Sequence, residues 1–443
     1  MDWTNLLNTT RLMAPDYQER PGRPMYMQDI DRITFCAPFR RLANKTQVHP
    51  LYDNDHIHHR LIHSLEVSSV GRSLGIEVGQ WLVDDKVLTD AERDKVSGIV
   101  QAACLAHDIG NPPFGHSGEE AIGRWFAERF ETPKGIFADL DRRHHQEFKK
   151  FEGNAQGFRI LARNEMYTNE GGMRLSLSVL GAFTKYPATA NISAHRSEPY
   201  CGLKKFGLFD NDVALFAEAA TALGLPEIQS PQGIWWRRHP LVFLMEAADD
   251  ICYNIMDLED AFTCGDIAFD QAESLLSALF LKRNRETVYR SKAAQISGYR
   301  ALAVTGAIAA CVEAFKAHYD TLMNGTFSGS LIEASSKAIE FQAIKDLARD
   351  RIFKAPRKTE LEVFGRNVIY RTLDGLIPLF DDLARAGWQA DALSSYHVQL
   401  ARALSLELHD IDNAYDALHA LADFVSGMTD RYAVKVAEML YTR

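Results

Sequence analysis

The chain has few cysteines and no two of them close together. The six, Cys36, Cys104, Cys201, Cys252, Cys264 and Cys311, form no CxxC motif. That excludes a zinc ribbon and leaves no disulfide framework to read. Reduced thiols in a cytoplasmic protein are the expectation. Positive charge is also short: 49 Lys and Arg face 59 Asp and Glu, for a net charge of −10. A dedicated nucleic-acid binder carries the opposite balance, although local basic patches stay open. No uninterrupted apolar run reaches the roughly 18 residues of a membrane span. The opening "MDWTNLLNTTRLMAP" lacks the basic-then-apolar order of a signal peptide. There is no internal repeat and no low-complexity tract, and strand signals are short and weak.

What is present is helical period. Hydrophobic residues make up 46% of the 443, enough for a large core in two or three domains or one helical body. "HRLIHSLEVSSVGRSLGIEVGQWLV" puts Leu61, Leu65, Val67, Val70 and Leu74 on or near one face. "KVSGIVQAACLAHD" is apolar nearly all round, as a buried helix is. Gly110 and Pro112–Pro113 must stop it, and Ser117 with Glu120 then reads as a capping box for the next helix. "LVFLMEAADDICYNIMDLEDAF" is a third strong helix, ended by Gly265. "YRALAVTGAIAACVEAFKAHYDTLM" and "YHVQLARALSLELHDIDNAYDALHALADFVSGM" read as further long helices, with long connections near 187–210 and 224–240. "KTELEVFGRNVIYR" holds a candidate hairpin around Gly365. The expected class is all-α.

The chemistry gathers around "CLAHDIGNPPFGHSGEE". His63 lies on an amphipathic helix, His107 and Asp108 end a buried one, and "EAADDICYNIMD" puts acids on a third. Any one of these has a bland reading, since a lone histidine on an apolar face is usually a satisfied core residue. A buried carboxylate, however, needs a partner or a metal. Two imidazoles with two carboxylates form a mixed N/O set that suits Mn, Fe, Co, Ni or Mg better than a thiolate-seeking ion. Asp249, Tyr253 and Asp257 recur every fourth residue on one helical face, so Asp249 is the favoured acid. Asp250 points about 100° away and is placed to meet a basic group.

Five stretches in order, "FRRLANKTQV", "RLIHSLEV", "HDIGNPPFGHSGE", "FEGNAQGFRI" and "HPLVFLMEAADDICY", resemble the bacterial deoxyguanosinetriphosphate triphosphohydrolase (dGTPase) family. That family lies within the HD-domain metal phosphohydrolase superfamily. The mammalian SAM-and-HD-domain dNTP hydrolase is a relative. The resemblance implies an HD-domain helical bundle at 57–265. An N-terminal segment (1–56) would contribute to the pocket, and a C-terminal helical region (266–443) would pack on the core. It implies a divalent metal on His63, His107, Asp108 and Asp249. It implies hydrolysis of a dNTP at the α-phosphate, giving deoxynucleoside and tripolyphosphate.

The same resemblance makes His116 the catalytic acid, with Glu119 holding its other nitrogen; the bland alternative is that both shape a helix start. Arg60 resembles the family's phosphate-binding arginine, and Gln47 its sugar-contacting glutamine. Tyr253 and Asp257 resemble residues at the sugar. Lys185 and Tyr186, with Lys204 and Lys205, are further phosphate candidates, weighed against ordinary surface lysines. His59 ranks low as a ligand, as does His58, and the sequence does not decide whether His144 and His145 face solvent or cleft. Gly153 and Asn154 stand where some relatives carry another histidine. Family members are homo-oligomers, often hexamers, some with nucleotide effectors. The competing readings are another HD-type phosphoesterase or nucleotidase, and a single-stranded DNA binder with a remnant metal site.

Overall fold

The computed structural model describes residues 1–46, 59–166, 168–196, 198–280, 288–352 and 356–441. Glycines decide how its central helices meet. Helix α1 (Arg60–Asp84) packs along α2 (Asp90–Ala106). Gly71, Gly75 and Gly79 recur every fourth residue on the contact face. A Cβ at Gly75 would sit 2.7 Å from the Ser97 Cα, and one at Gly71 would strike the Cys104 thiol. The missing side chains let the two backbones close up. The buried stripe of α1 is Val67, Val70, Leu74, Val78 and Leu82. Leu61 is only half-buried, and Leu65 is exposed because it lies two residues, about 200°, around from Val67.

A Thr89–Glu92 capping box starts α2, and the helix ends at Ala106, with His107 at its C-cap. Helix α3 (His116–Glu131) begins one residue earlier than expected. The predicted Ser117–Glu120 box is absent, because the left-handed pair Phe114 (φ 64°) and Gly115 (φ 59°) turns the chain first. Glu120 instead is exposed and pairs with Arg124 at 3.1 Å. Helix α4 (Gly153–Arg159) packs against the turn between α2 and α3.

The hairpin that does exist among the described residues is β1 (Glu227–Ser230) with β2 (Gly233–Trp236), inside a segment read as connection. Helix α5 (Val242–Cys264) ends at left-handed Gly265, as expected. Helix α6 (Lys292–Ala317) is long and apolar enough by length and composition to cross a membrane, yet it turns Ala303, Ala307, Cys311 and Phe315 into the core. The hairpin expected around Gly365 is instead part of α7 (Pro356–Arg385). Val368, Ile369, Leu373 and Leu376 form a helical stripe that burial rewards. The expected 396–428 helix divides into Ser395–Leu404 and α8 (Ala414–Gly427), broken at left-handed Ser405. Helix α9 (Asp430–Tyr441) follows.

Two large apolar cores result. The first runs from Trp3 to Ala348 and includes α1, α2, α5 and α6. The second joins α3 to α7, α8 and α9. The turn from 107 to 115 spans the seam, with Ile109 in the first core and Phe114 in the second. Gly110 is pressed so closely on α4 that a Cβ there would strike the Gly153 carbonyl oxygen and the Gly157 nitrogen. Both obstacles are backbone and cannot swing aside. Gly110→Ala is therefore expected to destabilise the protein by about 1–3 kcal/mol or more, read as a lower thermal midpoint. An unchanged midpoint would show that the contact is looser than described.

Candidate metal centre and substrate cavity

Three side chains from three helices converge. His63 comes from the first turn of α1, His107 from the end of α2 and Asp249 from α5. Asp249 Oδ1 lies 3.1 Å from His63 Nε2 and 3.4 Å from His107 Nε2. The ligand atoms of all three fall within 4.8 Å of one another. His107 Nδ1 is 2.7 Å from the Cys104 carbonyl oxygen. A carbonyl only accepts, so Nδ1 carries the proton and donates it. The Nε2 lone pair then faces the cluster. That nitrogen is buried and makes no hydrogen bond. A buried nitrogen aimed at a carboxylate and a second imidazole fits a divalent cation.

Asp108, also expected to bind, lies next to this trio. Its Oδ1 is 3.7 Å from His107 Nε2 and accepts from the Asn111 side chain, while Oδ2 accepts from Arg60 at 2.7 Å. Burial pushes the Asp108 carboxyl up, but Arg60 and the two histidines outweigh it and bring it down to about 2. Asp249 is likewise pushed up by burial and held well below the carboxylate range by Lys185 and His107. Burial disfavours the charged form of His107, yet Asp249 and Asp108 raise its pKa above the usual value.

The trio floors a cavity of about 360 Å³. Lys185 Nζ donates to Asp249 Oδ2 at 2.8 Å. Tyr186 and Tyr253 line the same space, and Arg238 stacks over the Tyr186 ring at 5.4 Å. Asp257 is buried one helical turn beyond Tyr253 and is not among the cavity-lining residues. Gln47 and His58 lie outside the described residues. Lys205 lines the cavity and pairs with Glu152 at 2.8 Å, whereas Lys204 is exposed outside it.

Across the cavity stands His116, its side chain 82% exposed. Its Nδ1 meets Glu119 Oε2 at 2.7 Å, and Glu119 Oε1 accepts from the Gly153 N–H at 2.7 Å. Burial raises the Glu119 carboxyl, but His116 and Lys205 more than compensate and lower it. This buried acid fixes the imidazole at the cavity wall and leaves Nε2 free of it.

Three further histidines among the described residues have other work. His59 caps α1 by accepting from the Ile62 N–H. His145 stacks on Phe130 at 4.0 Å. His144 bonds Asp210 at 2.8 Å, and with Glu147 these form a second group at metal-ligand spacing. That group is knitted internally, since Glu147 also accepts from the Asp210 N–H at 2.8 Å. Three residues with no signal of their own in the sequence join the site: Asn111, which steadies Asp108, and Leu361 and Glu362 of α7, which close one side of the cavity.

The HD-domain family profile matches residues 60–171. A deoxyguanosinetriphosphate triphosphohydrolase-like protein of Pseudomonas aeruginosa is 38% identical, covering 100% of this chain and 99% of its own. One from Synechocystis is 36% identical over 99% of each chain. A deoxyguanosinetriphosphate triphosphohydrolase of Yersinia pestis is 30% identical over 92% of each.

A cation entering the trio must take the place of the proton that Asp249 and Asp108 favour on His107. Divalent-ion affinity is therefore expected to fall as pH drops through the raised His107 pKa, with proton release visible by calorimetry in buffers of different ionisation enthalpy. His107→Ala and Asp249→Asn should each weaken Mn binding by more than about 100-fold, beyond the loss usual for an outer-shell change. Unaltered affinity in either variant would remove the ion from this site.

Proposed function

Since this chain belongs to the deoxyguanosinetriphosphate triphosphohydrolase family, we propose that it hydrolyses a dNTP at the α-phosphate, releasing deoxynucleoside and tripolyphosphate. The observation that carries the reading is the facing of the His63–His107–Asp249 trio by the His116–Glu119 pair within one cavity. A divalent ion held by the trio, with Asp108 beside it, supplies Lewis-acid polarisation of a phosphate oxygen and lowers the pKa of water.

The chain's own residues do the rest. Lys185, Lys205 and Arg60 line the cavity and meet the triphosphate charge. Arg60 is already anchored by Asp108, so its guanidinium is held in place at no further ordering cost. His116 gives a proton to the departing 5′ oxygen, and Glu119 keeps it in the tautomer and orientation to do so. Tyr253 lies beneath the sugar, where a flat ring leaves no room for a 2′-OH. Asp257, buried one turn further along α5, supports that ring from outside the cavity, and Tyr186 borders the phosphates.

The test is to supply Mn, Mg or Co and resolve the products from each of the four dNTPs and four NTPs. Tripolyphosphate is expected from at least one dNTP; none from any of them would sink the proposal. Monophosphate or pyrophosphate as product would assign nucleotidase or pyrophosphatase chemistry instead. His116→Ala should reduce kcat by about 10²–10⁴-fold while leaving Mn affinity unchanged, as befits a proton donor that is not a ligand. Full turnover in that variant would remove His116 from the acid role.

A further inference from the structure

The loop that presents His116 is gripped from a part of the chain more than 300 residues away. Asp430, the first residue of α9, is 2% exposed. Its Oδ1 accepts from the Phe114 N–H at 3.0 Å. Its Oδ2 accepts from the Thr46 N–H at 3.1 Å and the Thr46 hydroxyl at 2.7 Å. Phe114 is left-handed (φ 64°), a conformation costly for a bulky residue and kept only where surroundings enforce it. Two residues later comes His116.

A second brace runs beside the first. Lys45 donates to the Asn111 carbonyl at 2.6 Å and to the Ser426 carbonyl at 2.7 Å, tying the same loop to the end of α8. Burial, reinforced by Arg41, pulls this lysine down to about 7. Helix α7 closes the third side: a Cβ on Gly365 would sit 2.7 Å from the Phe114 ring. The C-terminal helices thus hold the loop through its backbone and one aromatic ring.

We propose that Asp430 is a positioning residue for the reaction: its carboxylate holds the strained Phe114–Gly115 turn and so fixes His116, while also setting the Thr46 wall of the cavity. The inference rests on the reading of His116 as the proton donor. Losing one acceptor leaves a buried N–H unpaired, and the turn can relax toward an ordinary backbone conformation. His116 would then swing from its station without any change at the trio.

The test compares D430N with the native protein, alone and combined with His116→Ala. D430N should bind Mn normally and lose roughly 10–100-fold in kcat, the scale of a misplacement of about 1 Å. In the His116→Ala background it should cost nothing further in kcat, because the residue it positions is gone. Hydrogen exchange over 108–118 should quicken in D430N, with α2 unchanged. If D430N is not recovered folded, Thr46→Val removes one donor from Asp430 and no buried charge. It should show the same pattern at about 3–10-fold, as fits one lost hydrogen bond. Native kcat in the folded variant, or an equal loss with and without His116, overturns the proposal. The exchange measurement needs no substrate. Absence of tripolyphosphate from native protein would therefore refute the functional reading, while unchanged exchange in D430N would refute the clamp.

Discussion

The approach of Gly110 to α4 is the constraint on which the site depends. On one side of that contact the chain has just delivered His107 and Asp108 from the end of a buried helix. On the other, the Gly153 N–H at the start of α4 holds Glu119, and Glu119 holds His116. A side chain at residue 110 would push the two ends apart. One bare backbone contact therefore sets the spacing between the metal candidates and the proton donor. The Pro-Pro bend and the left-handed Phe114–Gly115 turn only make sense as the return path of a chain held there.

Charge is arranged to match. The trio is not a neutral pocket waiting for an ion. It is a low-dielectric cluster in which Asp249 already carries Lys185 and faces two imidazoles. At Asp108 and Asp249 the burial penalty is outweighed by neighbouring cations, while His107 Nε2 is buried without a hydrogen bond. The same economy links substrate binding to the metal residues. Arg60 is fixed by Asp108 and Lys185 by Asp249, so the cations that meet a triphosphate are positioned by the acids beside the ion. Changing a ligand also loosens a phosphate contact, and the two losses will not separate cleanly in kinetics.

Much of this was legible in the sequence because it is local or periodic. His107 and Asp108 stand where a run of apolar residues stops, and Asp249 and Tyr253 share a helical face; both signals survive without knowing the fold. Glu119 and Glu120 illustrate the limit. The capping pattern favours Glu120 as structural, which its exposed pairing with Arg124 replaces, and the true helix start depends on a left-handed turn that no propensity announces. The stretch around Gly365 reads as a candidate hairpin. It is helix because its other face is buried in the second core and its glycine makes room for Phe114. Asp430, Leu361 and Glu362 were beyond reach, since nothing in a one-dimensional reading brings α7 or α9 to a loop roughly 250 to more than 300 residues earlier. Lys45 and Lys185 show the same limit in another form: both look like surface lysines until their partners are known.

The most direct test of the account is where a divalent ion sits. Anomalous diffraction from crystals grown or soaked with Mn should give a peak within bonding distance of His63 Nε2, His107 Nε2 and Asp249, with His116 across the cavity and not a ligand. A strong peak at the His144–Glu147–Asp210 group with none at the trio would contradict it.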